Sequence, residues 1–196
     1  ATDGLVNVYL PGFVKTGLSG TLRRAGTSIR SKFTETNDQV IDTFVQVRPA
    51  VIEVLSRLVR GAASLDGRAN AARAVGILRG GAALPDLSDA LRSKDDRLMY
   101  ESLMAIRKIG DPEAAPRIAF LLKDLDERIQ ITALETTGVL RHREAAPDVR
   151  DALTHARTPK VKRAAVVALG MIADPADHAN FIGFLADRDD GVRAGA

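Results

Sequence analysis

From about Arg68 to its last residue the chain repeats itself every thirty-one or thirty-two positions, and that period restricts the fold more than any single residue does. Leu98, Ile129, Val161 and Val192 fall in register, at separations of 31, 32 and 31. Each copy follows one plan: an apolar pattern at helical spacing, a short break, a second helical pattern and an acidic turn. A helical hairpin this short cannot bury its whole apolar stripe on itself, so it stacks that stripe on the next copy. The result is a solenoid, an architecture that ordinarily offers an extended surface for binding.

Laying the copies over one another separates core from surface. In the first helix of each unit one predicted core column runs Val75, Ile106, Thr137, Leu169, and three residues later Leu78, Ile109, Leu140, Ile172. A third column, Ala71, Ser102, Ala133, Ala165, is small throughout and is where helices are expected to approach closely. The second helix opens at Pro85, Pro116 and Pro147, with Ala179 in the fourth copy. Proline is tolerated there because an N–H in the first turn has no intrahelical partner. Its core columns are Leu87, Ile118, Val149, Phe181 and Leu91, Leu122, Leu153, Leu185. Aromatic residues are only 4% and Trp is absent, which suits close-packed Ala-rich helices better than a β-sandwich. The predicted class is all-α, a right-handed α-solenoid with units at 67–96, 97–127, 128–159 and 160–190 and an incomplete fifth from 191.

Upstream the pattern changes. Residues 1–36 read as an extended arm followed by a basic amphipathic segment, and over residues 1–34 Lys15, Arg23, Arg24, Arg30 and Lys32 face the single acid Asp3. That segment suits either docking on a membrane surface or acidic partner, or folding over the first repeat. Residues 37–66 read as a capping region with a helix at about 49–60, started by Pro49 and striped by Val51, Ile52, Leu55, Leu58 and Val59. The repeats themselves are almost neutral, with 20 Lys and Arg against 19 Asp and Glu over residues 67–196. No run of eighteen apolar residues occurs, so a membrane span is not expected. The chain reads as a soluble piece of a longer protein, cytoplasmic or exported after removal of a leader. Without Cys it can hold neither disulfides nor thiolate metal sites.

Asp126-Glu127-Arg128-Ile129 and Asp190-Gly191-Val192-Arg193 share an acidic turn followed by the start of an apolar helix. Gly110-Asp111-Pro112 and Ala173-Asp174-Pro175 share the break between paired helices. Over residues 67–196 this pattern resembles the HEAT-like repeats of the phycobilisome-lyase type. The resemblance implies a HEAT-like solenoid whose second helices line the concave face. Such repeats serve in scaffolds, chaperone-like lyases and nucleic-acid enzymes, so it specifies fold more than function.

Candidate chemistry is sparse. His142, His155 and His178 share no metal-ligand spacing, and His142-Arg143-Glu144 does not match the His-Glu pairs of HEAT-repeat hydroxylases. Asp187-Arg188-Asp189-Asp190-Gly191 begins like a calcium loop, but its Gly falls fifth rather than sixth. The acidic turns read as helix starts, where carboxylates favour the positive end of the dipole. No catalytic, metal or cofactor-binding set is predicted. The second helices expose Asp86, Arg117, Asp148, Asn180 in one column and Asp89, Phe120, Asp151, Gly183 in another. The first is expected to form a ladder of opposite charges, and Phe120 to be either a contact residue or covered by a neighbouring Arg or Leu. Asp86, Asp89, Arg117, Phe120, Asp148 and Asp151 are therefore the candidate partner-binding residues.

The predicted function is a non-catalytic scaffold for a protein partner. One alternative is a lyase-like or chaperone-like protein handling a bilin or other tetrapyrrole, as the resemblance implies. A second is nucleic-acid binding through the basic leader and the turn holding Arg157, Lys160, Lys162 and Arg163. An apolar face completed by Val192 and Ala194 is expected to promote self-association.

Overall fold

The computed structural model describes residue 40 and residues 47–196. The arm and basic segment of residues 1–36, and residues 37–39 and 41–46 of the capping region, lie outside the described residues. Ten α-helices follow in order: α1 (Pro49–Gly61), α2 (Leu65–Ile77), α3 (Leu84–Ala90), α4 (Asp96–Ile109), α5 (Ala115–Ile118), α6 (Glu127–Leu140), α7 (Ala146–Thr154), α8 (Pro159–Ile172), α9 (His178–Phe184) and α10 (Asp190–Gly195). No strand occurs among the described residues. Long helices α2, α4, α6 and α8, followed by the six-residue α10, pack side by side as one row, each on the next, while α3, α5, α7 and α9 return the chain as a second row of short helices. Helix α1 lies against α2 and α3 and buries Leu55 and Val59 there.

Each helix of the first row, α2, α4, α6, α8 and α10, starts at a side chain that satisfies an otherwise orphaned N–H. Ser64 accepts from the Gly67 N–H, Asp95 from Leu98, Asp126 from Ile129, Thr158 from Val161 and Asp189 from Val192. The acidic turns are thus helix caps as well as dipole partners. The stops are equally periodic. Arg79, Gly110, Arg141 and Ala173 all take positive φ, between 50° and 75°, and the chain then enters a 3-10 turn that leads into the second helix. Only Gly110 adopts that conformation without a Cβ penalty.

The predicted first-helix core holds except at Ile109, which is half-buried. Val75, Ile106, Thr137 and Leu169 have no exposed surface, and the Thr137 hydroxyl donates to the Ala133 carbonyl at 2.9 Å. In the second row Leu87, Ile118, Val149, Leu91 and Leu122 are buried, but Leu153 is half-buried and Leu185 is 60% exposed. Among the described residues no further second helix packs on α9, which leaves Leu185 and Ile182 open. Val192, by contrast, is fully buried, so the apolar surface at this end is that of α9 rather than the predicted Val192 face.

Closest approach also falls elsewhere than expected. Ala71, Ser102, Ala133 and Ala165 are completely buried, yet the helices meet most tightly one column away. A Cβ on Gly76 would sit 2.7 Å from Ala105 Cα, and one on Gly138 would sit 2.8 Å from Ala168 Cα. Glycine is required at both places by backbone proximity rather than by φ. The equivalent residue between α4 and α6 is Arg107, whose guanidinium instead reaches Glu135 at 2.9 Å. One further departure from the repeat lies between the third and fourth units. Where the earlier units place Ala83, Ala114 and Ala145, the fourth places Asp177, fully buried and held by Arg150 Nε at 2.7 Å. Arg150 also binds Asp174, and Asn180 donates to Asp177. A buried carboxylate persists only with such partners.

Candidate functional site

All six candidate residues lie on the second-helix row, but that row does not pair them as predicted. Asp86 accepts from the Ser56 hydroxyl and lies 3.4 Å from Arg60, both on α1, and is therefore committed to α1 rather than to Arg117. The cross-repeat contacts run diagonally. Lys123 Nζ meets Asp151 at 2.5 Å, and the Arg92 guanidinium lies over the Phe120 ring, 5.1 Å from its centroid. In each case the cation reaches a residue 28 positions ahead, one helical turn short of its own column. Helical side chains lean toward the N-terminus, which accounts for the offset.

Charges in this row are shaped by those contacts. The hydrogen bond and the charge of Lys123 hold the Asp151 carboxyl below its ordinary range, and His155 beside it acts in the same sense. Asp151 in turn raises Lys123. Arg117, Asp89 and Asp148 are exposed, and none has an ion-pair partner among the described residues. Phe120 is 44% exposed although Arg92 covers one face of its ring. Both readings of Phe120 therefore apply together: it is stacked beneath an arginine and still open to a partner.

Local backbone sharpens this spot. The second helix of this unit is α-helical only over Ala115–Ile118, and Ala119–Lys123 tightens to 3-10 geometry. With three residues per turn, Phe120 and Lys123 eclipse one another, and Arg117 precedes them on the same ridge. Nothing in the apolar spacing distinguishes a 3-10 segment of this length from an α-helical turn, so it is not legible in the sequence.

The basic turn has a different character. Arg157 donates to the Asp124 carbonyl, Lys160 lies 3.7 Å from Glu127, Lys162 2.6 Å from Asp187 and Arg163 2.6 Å from Asp189. All four cations are engaged within the array. Asp187 and Asp189, the start of the calcium-like run, are the other halves of these pairs, and the Arg163 hydrogen bond lowers the Asp189 carboxyl to about 2. Among the described residues no three His, Asp or Glu converge in a metal-binding arrangement. His142 Nε2 is 3.3 Å from Glu144, and His178 borders a cleft of about 490 Å³ with Phe181, Ile182 and Asp174. No helix among the described residues is long and apolar enough to cross a membrane.

Comparison with known proteins adds to this geometry. Residues 115–196 match the family of HEAT repeats, and residues 100–124 match the PBS lyase HEAT-like repeat. No curated protein matches the chain. Among solved structures it is similar to the complex of CpcE and CpcF of phycocyanin lyase from Nostoc sp., at 21% identity and a TM-score of 0.57, covering 93% of this chain and 70% of that one. A designed armadillo repeat protein is similar at 16% identity and TM-score 0.56, covering 74% and 78%. Human deoxyhypusine hydroxylase in complex with glycerol is similar at 22% and 0.51, covering 76% and 60%. At these identities the likeness is one of fold.

Proposed function

We propose that this HEAT-like repeat protein is a non-catalytic interaction module that binds a protein partner through its row of second helices. The observation that carries this reading is the contrast between charges. The cations of the basic turn are spent inside the array, whereas Asp89, Arg117 and Asp148 stay exposed without an ion-pair partner around a half-exposed Phe120. Unspent polar groups around an aromatic are the composition of an interface centre. A designed armadillo repeat protein of similar fold is in complex with the peptide (KR)4, which supports a peptide-binding reading of this architecture. Affinity capture with the full chain tests the proposal. A partner retained by the wild type and by an Arg163→Gln variant, but lost on combined replacement of Asp89, Arg117, Phe120 and Asp148, is expected. Capture unaffected by the combined replacement, or turnover of a small molecule with no protein partner, would overturn it.

A lyase-like role toward a bilin is the second reading, supported by the PBS lyase HEAT-like match over residues 100–124. An absorbance titration separates it from the first: a spectral shift of the added bilin favours the lyase-like role, and an unchanged spectrum removes it. The exposed Ile182 and Leu185 on α9 also suit self-association. Light scattering is expected to show a mass that rises with concentration, and a strict monomer would count against that contact.

A further inference from the structure

We infer that Phe120, with Arg92 and Arg117 beside it, is the anchor of the second-helix row and selects a partner segment that carries carboxylates next to apolar side chains. This rests on the proposed role of that row and names the chemistry of what it holds. The Arg92 guanidinium lies with its carbon 5.1 Å from the Phe120 centroid, and Arg117 stands one turn before Phe120 on the same ridge. Lys123 stands one 3-10 turn after it and is tied to Asp151. Arg92 and Arg117 have no carboxylate within ion-pair distance among the described residues. A guanidinium stacked on a ring engages it through its plane, which leaves its edge N–H groups able to bind a carboxylate in two parallel hydrogen bonds. The open part of the Phe120 ring then takes the apolar neighbour of that carboxylate.

The surroundings decide the class of partner. An aromatic with arginines is also what single-stranded nucleic acid uses for stacking. A phosphate backbone running along the row would, however, meet Asp89 on one side and Asp148 and Asp151 on the other. A short acidic-apolar peptide segment needs only the cationic centre and leaves the flanking carboxylates to basic residues further along the partner.

Fluorescence anisotropy with the full chain at about 0.15 M salt tests this. Three labelled probes are used: a peptide of alternating Glu and Leu, its Lys and Leu counterpart, and an oligothymidylate of about twelve nucleotides. The Glu-Leu peptide is expected to bind best, and Phe120→Ala, Arg92→Gln and Arg117→Gln each to weaken it by about tenfold or more, with Arg163→Gln as an unaffected control. All four side chains are on the surface, and far-UV circular dichroism verifies that each variant is folded. Equal binding of the Lys-Leu peptide, stronger binding of the oligonucleotide, no binding of the Glu-Leu peptide, or indifference to the three substitutions would each overturn the anchor. If instead the Lys-Leu peptide binds and Asp148→Asn with Asp151→Asn abolishes it, the anchor falls while the row remains a binding surface. Failure of the row itself is read separately, from partner capture that survives the combined replacement.

Discussion

The junction between the second and third repeats is built differently from the junctions on either side of it. At α2/α4 and α6/α8 a glycine lets the backbones close, Gly76 on Ala105 and Gly138 on Ala168, and the helices touch along much of their length. At α4/α6 Arg107 occupies the glycine position, the helices touch over a shorter stretch, and polar contacts replace the lost packing. Arg107 pairs with Glu135, Arg128 stacks 4.0 Å from the centroid of Tyr100, Lys123 pairs with Asp151, and the buried Gln130 amide donates to the Leu122 carbonyl at 2.8 Å. Equal spacing in the sequence thus hides unequal joints. Close backbone approach distinguishes the outer two, which ion pairs such as Arg97–Asp66 and Lys160–Glu127 also cross, whereas the middle one lacks that approach and relies more on its polar contacts.

The largest expected effect lies where the outer packing incorporates a charge. Arg150→Ala leaves Asp177 buried with only Asn180 for company and is expected to cost about 3–5 kcal/mol by denaturant unfolding. Arg150→Ala with Asp177→Ala restores the alanine of the other repeats and should recover most of that loss. A double variant no more stable than the single one would show that the pair does not act as a unit.

Next come the glycines. Gly76→Ala and Gly138→Ala each force a methyl group against a neighbouring backbone and are expected to cost about 1–3 kcal/mol. Arg107→Ala, at the corresponding place in the middle junction, removes a partly exposed ion pair and should cost no more than about 1 kcal/mol. Equal costs at the three positions would abolish the distinction between joints. Ser102, on α4, offers a gain. Its hydroxyl is fully buried without a hydrogen-bond partner, so Ser102→Ala is expected to stabilise by about 1 kcal/mol, read as a raised Tm.

The smallest effect is a pH dependence at the last described junction. Asp189 is lowered from an ordinary value of 3.8 to about 2 by its hydrogen bond to Arg163, and it also caps α10. A carboxyl lowered on folding contributes stability that is fully present above about pH 4 and is lost as the pH falls toward 2. Amide protection in α10, taken relative to the intrinsic exchange rate at each pH, should fall over that interval in the wild type, while in Asp189→Asn it should already be low at pH 5 and change little below it.

How much was legible follows from which interactions are local in sequence. The helix starts could be read because a cap and the N–H it serves lie three residues apart, as Asp126 and Ile129 do. The apolar columns could be read because helical spacing alone puts Val75, Ile106 and Leu169 on the buried side. Phe120 stood out as an exposed aromatic for the same reason. The charge ladder was misplaced, since same-column residues were expected to meet and side-chain lean carries Lys123 to Asp151 and Arg92 to Phe120 instead. Two signals were present but unused: glycines inside three helices, at Gly76, Gly138 and Gly170, and an aspartate in the alanine column at Asp177. Even these had a limit, because a Cβ on Gly170 would make only ordinary contacts, 3.6 Å from the nearest atom.

The sequence by itself determined the class and the unit. A period of thirty-one or thirty-two, caps before each first-row helix and proline at the second-helix starts leave a chain little choice but stacked helical hairpins. Tertiary structure alone decided which charges are consumed and which remain. Lys162 and Arg163 look as available in the sequence as Arg92 and Arg117, yet the first two are bound by Asp187 and Asp189 at the far end of the same repeat. The reason is geometric. Such ion pairs depend on the distance and lean of side chains twenty-five or more positions apart, and those are fixed only when the helices have packed.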